Sequence, residues 1–179
     1  MPEEAQYITD EVRALIGAES EEQIAPDAVE RGAIRRMAHA TMDTDRVFWD
    51  DFHAKDTRYG GVVAPPLFPV HMHQRAPDAP DPLEKAWGDP GYDGTKGATG
   101  LFALPEVPIP LKRLLNAGVE VEFFKYAEPG DRVTAVNRYA DIFQKQGKKG
   151  PMVFVVVERH FRNHKRETLL TYRQTLVYT

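Results

Sequence analysis

Three runs, residues 132–145, 151–163 and 168–178, constrain this chain more than any other feature. Each is rich in β-branched and aromatic residues. Gly147 to Gly150 separates the first two and Asn163 to Arg166 the last two, so they read as consecutive antiparallel strands joined by hairpins. In the middle run, Val153-Phe154-Val155-Val156-Val157 is apolar on both faces, the pattern of a central strand covered from both sides. A further strand, 119–124, alternates Val and Glu before ending in Phe123 and Phe124, and Glu128-Pro129-Gly130-Asp131 supplies the turn after it. Residues 107–111 contain Pro108 and Pro110 and fit only an edge or irregular strand.

Strands this long and apolar need something to wrap. The segment Arg58-Tyr59-Gly60-Gly61-Val62-Val63-Ala64-Pro65-Pro66-Leu67-Phe68-Pro69 offers it. Two glycines permit a tight turn, and the prolines suit a helix entrance, where the first N–H groups have no partner in any case. A buried helix beginning near Pro65 or Pro66 follows, covering one face of the sheet, with a flap or a second subunit over the other. The predicted architecture is α+β: one curved antiparallel sheet around one central helix, the hot-dog arrangement.

With 179 residues, 42% of them hydrophobic, the chain suits one domain with a core of ordinary size. No apolar run approaches the ~20 residues of a membrane span, and Met1-Pro2-Glu3-Glu4 lacks the regions of a secretory signal. The absence of cysteine removes disulfides, thiolate catalysis and Cys-based zinc sites together. A cytoplasmic location is expected. Residues 1–30 hold nine acids and one base, so a chain of net charge −4 carries −8 there and +4 over the other 149 residues. A mildly basic body suits an anionic ligand such as a phosphorylated carrier and falls far short of nucleic-acid binding.

The acidic segment 1–30 reads as helical over 6–16, stopped by Gly17, then as polar connector over 19–27. Helix resumes over 28–40, with a turn over 43–49 and a short helix over 50–55. Between Ala76 and Gly100 nine of 25 residues are Pro or Gly. A loop of that length in a compact domain is usually functional, and Trp87, Tyr92, Leu101 and Phe102 give it packing material for an ordered flap near the mouth of a ligand tunnel.

Two segments carry a family resemblance. One runs from Ile34-Arg35-Arg36 through Arg58-Tyr59-Gly60-Gly61-Val62-Val63-Ala64-Pro65-Pro66. The other comprises Glu120-Val121-Glu122-Phe123-Phe124, Glu128-Pro129-Gly130-Asp131, Ala140-Asp141, Gly150-Pro151-Met152-Val153-Phe154-Val155 and Arg173-Gln174-Thr175-Leu176. Together they resemble the N-terminal, fatty-acid-synthase-like dehydratase domain of the MaoC-like hydratases, which assigns a hot-dog domain to residues 31–179 with an insertion at 76–104. The resemblance implies reversible hydration of an enoyl thioester of coenzyme A or acyl carrier protein, without cofactor or metal. The family's motif is Asp, any residue, Asn, Pro, any residue, His, whose Asp and His act as a general base and acid pair, with an oxyanion N–H at the buried helix.

Laid on this chain, the motif falls on Asp43-Thr44-Asp45-Arg46-Val47-Phe48. Asp43 is present, Phe48 stands at the histidine, and the oxyanion position falls on Pro66, which has no N–H. His53 is the nearest substitute for the lost histidine. The implied role is a substrate-binding, catalytically degenerate subunit. It would pair with an active MaoC-like partner or with its own copy, and use Phe48, Tyr59, Gly60, Gly61, Val63, Ala64, Pro65, Pro66, Phe68, Trp87 and Tyr92 toward the ligand. The alternatives are a purely acyl-CoA-binding protein and a homodimeric thioesterase or hydratase with displaced catalytic residues. No acid lies between Gly61 and Arg75, which argues against the thioesterase. His71 and His73 lack a third ligand and read as one packed and one solvated histidine. Arg159, His160, Arg162, His164, Lys165 and Arg166 read as an exposed basic hairpin rim, and Lys145, Lys148 and Lys149 as a solvated turn.

Overall fold

The computed structural model describes residues 6–73, 88, 102–111, 113–148 and 150–179. Its frame is a five-stranded, wholly antiparallel sheet of order β1-β3-β4-β5-β2, with β1 at Gln23–Ile24, β2 at Leu114–Phe123, β3 at Thr134–Gly147, β4 at Gly150–Arg162 and β5 at Thr168–Tyr178. The three expected hairpin strands are present, and the fourth is longer than its Val/Glu alternation suggested. Residues 107–111 form no strand, because Pro108 and Pro110 cannot donate to a ladder. Bulges between Tyr139 and Asp141 and between Asn116 and Gly118 add local bend and twist to a sheet that must curve.

The two faces differ. Val153, Val155, Val157 and Phe161 of β4 point inward and are fully buried, as is Tyr139 of β3. On the outer face Val156 and Val177 are withdrawn from solvent, and Phe154 stacks on Phe143 at 5.0 Å beneath the Lys145 ammonium. Beside them runs an ion-pair ladder: Glu158 accepts from Arg138 at 2.5 Å and from Arg173 at 2.7 Å. Burial works to raise the Glu158 carboxyl, but the two guanidinium groups hold it below its usual range. Part of the outer face is thus answered by its own ion pairs and its stacked rings.

Inside, α1 (Asp10–Ala14) is capped by Thr9, whose Oγ1 accepts from the Val12 N–H, and it buries Val12 against β3 and β4. Gly17, at φ +89°, ends it and donates its N–H to the Tyr139 carbonyl. The following segment was expected to be connector. It instead pairs along β3, with Gln23–Ile24 as a true edge strand opposite Thr134 and Ala135. Two residues are too few for an alternation to show. Helix α2 (Arg31–Thr41) buries Ile34 and Ala38. After a 3₁₀ turn at Arg46–Phe48 comes α3 (Asp51–Lys55), and then α4, described as Phe68–His71. This start lies later than Pro65 or Pro66, because the Phe68 N–H first closes a turn onto the Pro65 carbonyl, leaving Pro69 inside the first helical turn.

The turn at residues 128–131 locks these layers to the sheet. Asp131 is buried and accepts from the Glu128 N–H at 2.9 Å, while buried Asn163 accepts from the Lys165 and Glu167 N–H groups at 3.0 Å each.

Candidate functional site

The segment from Asp43 to Phe48 leaves α2 through Met42, which takes a left-handed conformation at φ +55°. Asp43 is exposed, and its Oδ1 accepts from the Asp45 N–H at 3.0 Å. The Asp45 carboxylate caps the 3₁₀ turn through the Val47 N–H at 3.1 Å. Both acids thus serve the backbone at the surface. Arg46 lies over Asp50 with Nη2–Oδ2 at 2.5 Å, and that guanidinium, followed by the His53 N–H, holds the Asp50 carboxyl below its usual range. Phe48 is only 4% exposed and belongs to the core cluster of Val47, Ala54, Val62, Val63 and Phe68. His53 stands exposed on α3, its own N–H committed to Asp50.

The glycine turn behaves as its sequence implies. Gly60 sits at φ +68°, a conformation costly for any side chain, and donates to Thr57. Val63 and Ala64 are buried and reach out by backbone, Val63 to the Val47 carbonyl at 3.3 Å and Ala64 to the Ala127 carbonyl at 2.8 Å. Pro65 is buried and Pro66 half-buried. Neither has an N–H, and the N–H of Phe68 is used, so Leu67 holds the one backbone donor between Ala64 and Phe68 with no partner among the described residues.

Four of the expected ligand-facing residues divide among three concavities, and Gly60, Gly61, Ala64, Pro65 and Pro66 line none of the three. Tyr59 and Val63 line one of about 420 Å³ with Arg58, Phe123, Phe124 and Tyr126. Tyr59 stacks on Tyr126 at 5.3 Å between centroids, and Arg58 both covers the Tyr59 ring and donates to its hydroxyl at 2.7 Å. Burial, and then the Tyr59 hydroxyl, pushes the Tyr126 phenol up. Phe68 lines a second cavity of about 490 Å³ between α2 and α4, with Met37 and Met72. Phe48 borders a small third one of about 140 Å³ with Trp49 and Val62. The role of Phe123 to Tyr126 was missed from sequence. Its signal was two aromatics at a strand end, and they are 43% and 55% exposed.

Of the expected flap residues, Trp87, Tyr92 and Leu101 lie outside the described residues. Phe102 does not pack beside the Gly60–Phe68 segment. It is buried in the other core cluster with Val12, Leu104 and Tyr139, tethered by its carbonyl to Asn137 at 2.7 Å and followed by a Tyr139 hydroxyl bond to Pro105. Arg159 is also misplaced by the sequence reading. Strand alternation puts it on the inner face with Val157 and Phe161, away from the hairpin rim, where it donates Nε–H to Asn137 at 3.1 Å. His71 is exposed, whereas His73 packs against Phe161 at 5.5 Å between centroids. Among the described residues no three His, Asp or Glu side chains group to hold a metal ion, and no helix is long and apolar enough to cross a membrane.

The model of the FAS1-like dehydratase domain region matches residues 14–172. A UPF0336 protein of Thermobifida fusca is 26% identical over 124 residues, 69% of this chain and 68% of that protein. Among solved structures, the ChsH1–ChsH2 complex of Mycobacterium tuberculosis superposes at a TM-score of 0.69 with 18% identity, over 93% of this chain and 86% of that one. The HadBC (3R-hydroxyacyl-ACP dehydratase) complex of the same organism gives 0.60 with 19% identity, over 91% and 96%. A MaoC-like dehydratase of Rhodospirillum rubrum gives 0.55 with 17% identity, over 91% of each chain.

Proposed function

This chain belongs to the FAS1-like dehydratase-region family, with the hot-dog fold of MaoC-like dehydratases, and from that premise we propose that it is the substrate-binding subunit of an acyl-thioester hydratase or dehydratase. The observation that carries this reading is Phe48. It falls at the motif's histidine position, and its ring is part of the hydrophobic core, 4% exposed. A phenyl ring moves no proton, and the surviving Asp43 spends its carboxylate on a backbone N–H at the surface. General acid–base help is typically worth about 10²–10⁴-fold and an oxyanion donor about 10²–10³-fold; this chain lacks the first in its usual place and has Pro66 in place of the second.

Catalysis then comes from a second hot-dog subunit carrying the intact motif, and β2 is the surface that fits it. This ten-residue edge strand exposes Leu115, Val119 and Phe123, each by more than 40%, together with its outer backbone groups. A long apolar edge is a template for another strand. The ligand of this reading is an enoyl or 3-hydroxyacyl thioester of coenzyme A or acyl carrier protein, and the aromatic cavity at Tyr59 and Tyr126 opens beside the end of β2. One observation favours a homodimeric enzyme with displaced groups: the Leu67 N–H one residue beyond Pro66, without a partner among the described residues.

The test follows enoyl-thioester absorbance with this chain alone, with a candidate partner bearing Asp-x-Asn-Pro-x-His, and with His53→Ala. The expected result is negligible turnover alone and full turnover with the partner, insensitive to His53→Ala. Robust turnover by the isolated chain would overturn the proposal.

A further inference from the structure

The charges of the sheet's central strands are answered differently on its two faces. On the outer face Arg138, Glu158 and Arg173 compensate one another within hydrogen-bond distance. One position along β4, Arg159 turns inward and finds no carboxylate within ion-pair distance among the described residues. Its Nε donates to Asn137, and its guanidinium lies 4.9 Å from the Phe161 ring centre and 5.7 Å from that of Phe102. The four N–H groups of its two terminal nitrogens carry no hydrogen bond to another described residue. Register places Asn137, Arg159 and Tyr172 opposite one another in a single row across β3, β4 and β5. His73, two residues beyond α4, reaches the same Phe161 ring, and its Nε2 is buried without a partner among the described residues. Burial first, and then the Arg159 charge, pushes the His73 imidazole down to about 4, so it stands neutral beside the cation.

A half-buried cation walled by aromatic rings, with unused N–H groups and a neutral imidazole beside it, is a costly arrangement unless an anion completes it. We propose that Arg159, Tyr172 and His73, with Asn137 holding the guanidinium in place, form a subsite for a carboxylate carried at the far end of an acyl ligand. A guanidinium with both terminal nitrogens free matches a carboxylate in the two-point fashion, and the Phe102 ring, 5.7 Å from the guanidinium, suits the methylenes that precede it. The carrier's identity rests on the acyl-thioester reading; the preference for a terminal carboxylate rests on these residues alone.

The experiment is calorimetric titration of the full chain with adipyl-CoA, hexanoyl-CoA, CoA and free adipate, for the wild type and Arg159→Met. The expected result is about ten- to hundredfold tighter binding of adipyl-CoA than of hexanoyl-CoA, as charged hydrogen bonds supply. Arg159→Met should abolish that preference, bringing adipyl-CoA affinity down to the level of hexanoyl-CoA. Equal affinity for the two thioesters in the wild type overturns the subsite. So does an Arg159→Met defect shared by CoA itself, which would make Arg159 a phosphate contact. If no thioester binds, the acyl-thioester reading falls, and free adipate then decides the subsite: Arg159-dependent binding supports it and none refutes it.

Discussion

Replacing Phe48 with alanine separates a core residue from a ligand-facing one. The ring is 4% exposed and packed among Val47, Ala54, Val62, Val63 and Phe68. A buried Phe removes roughly 150–250 Å² from water, worth about 4–6 kcal/mol at ~25 cal/mol per Å². Truncation in comparable cores costs about 3–5 kcal/mol once partial collapse is allowed for. With a urea m-value of about 2 kcal/mol per M, the unfolding midpoint should fall by roughly 1.5–2.5 M. Phe48→Leu should cost about 1–1.5 kcal/mol, since it keeps most of the volume. Phe48→His should lose stability on the scale of the alanine variant and gain no hydration activity, because Asp43 stays bound to the Asp45 N–H at the surface. Equilibrium urea unfolding, paired with titration of an acyl-CoA, measures both quantities. A Phe48→Ala protein within about 1 kcal/mol of wild type that no longer bound ligand would refute the reasoning and put the ring in the substrate tunnel.

Two further outcomes follow from buried polar groups. Because the folded His73 imidazole sits near 4 and its unfolded value near 6.5, the unfolded chain takes the proton first as pH falls. Stability should be whole above ~6.5 and decline toward pH 4 by roughly 1–2 kcal/mol, the linkage value discounted for partial exposure. That slope should shrink in His73→Gln when followed by urea midpoints across the range. Asn163→Ala strips the acceptor from two backbone N–H groups and the donor facing Asp131 and Glu167; a loss of about 2–4 kcal/mol is expected, read as a lower melting temperature.

The large strands were legible because their signals are local and repeated. Alternation, hairpin glycines and the Asn163 turn specify β3 to β5 within a few residues, and 168–178 is observed as read. What escaped depends on distant parts of the chain. β1 is two residues long and exists through backbone pairing with Thr134 and Ala135, which no pattern in 23–24 announces. At the motif, the sequence shows that Phe48 has no proton to give, but its burial is set by Val62, Val63 and Phe68 arriving from later residues. Arg159 was assigned to the basic rim by its neighbours in sequence. The period-two rule, run from Val153 through Val157, places it inside.

The order β1-β3-β4-β5-β2 also governs the schedule of synthesis. β2 takes its partner from β5 alone, which is made last of the five strands. Between the completion of Phe123 and that of Tyr178 lie 55 residues, roughly 3–11 s of translation at about 5–20 residues per second. For that interval Val119, Val121 and Phe123 hang from the ribosome in extended, strand-prone chain with nothing to pair with. Glu120 and Glu122, alternating with them, are the charges that keep such a stretch from joining its neighbours on a polysome. Stripping those two glutamates should therefore injure yield during synthesis far more than it injures the finished fold.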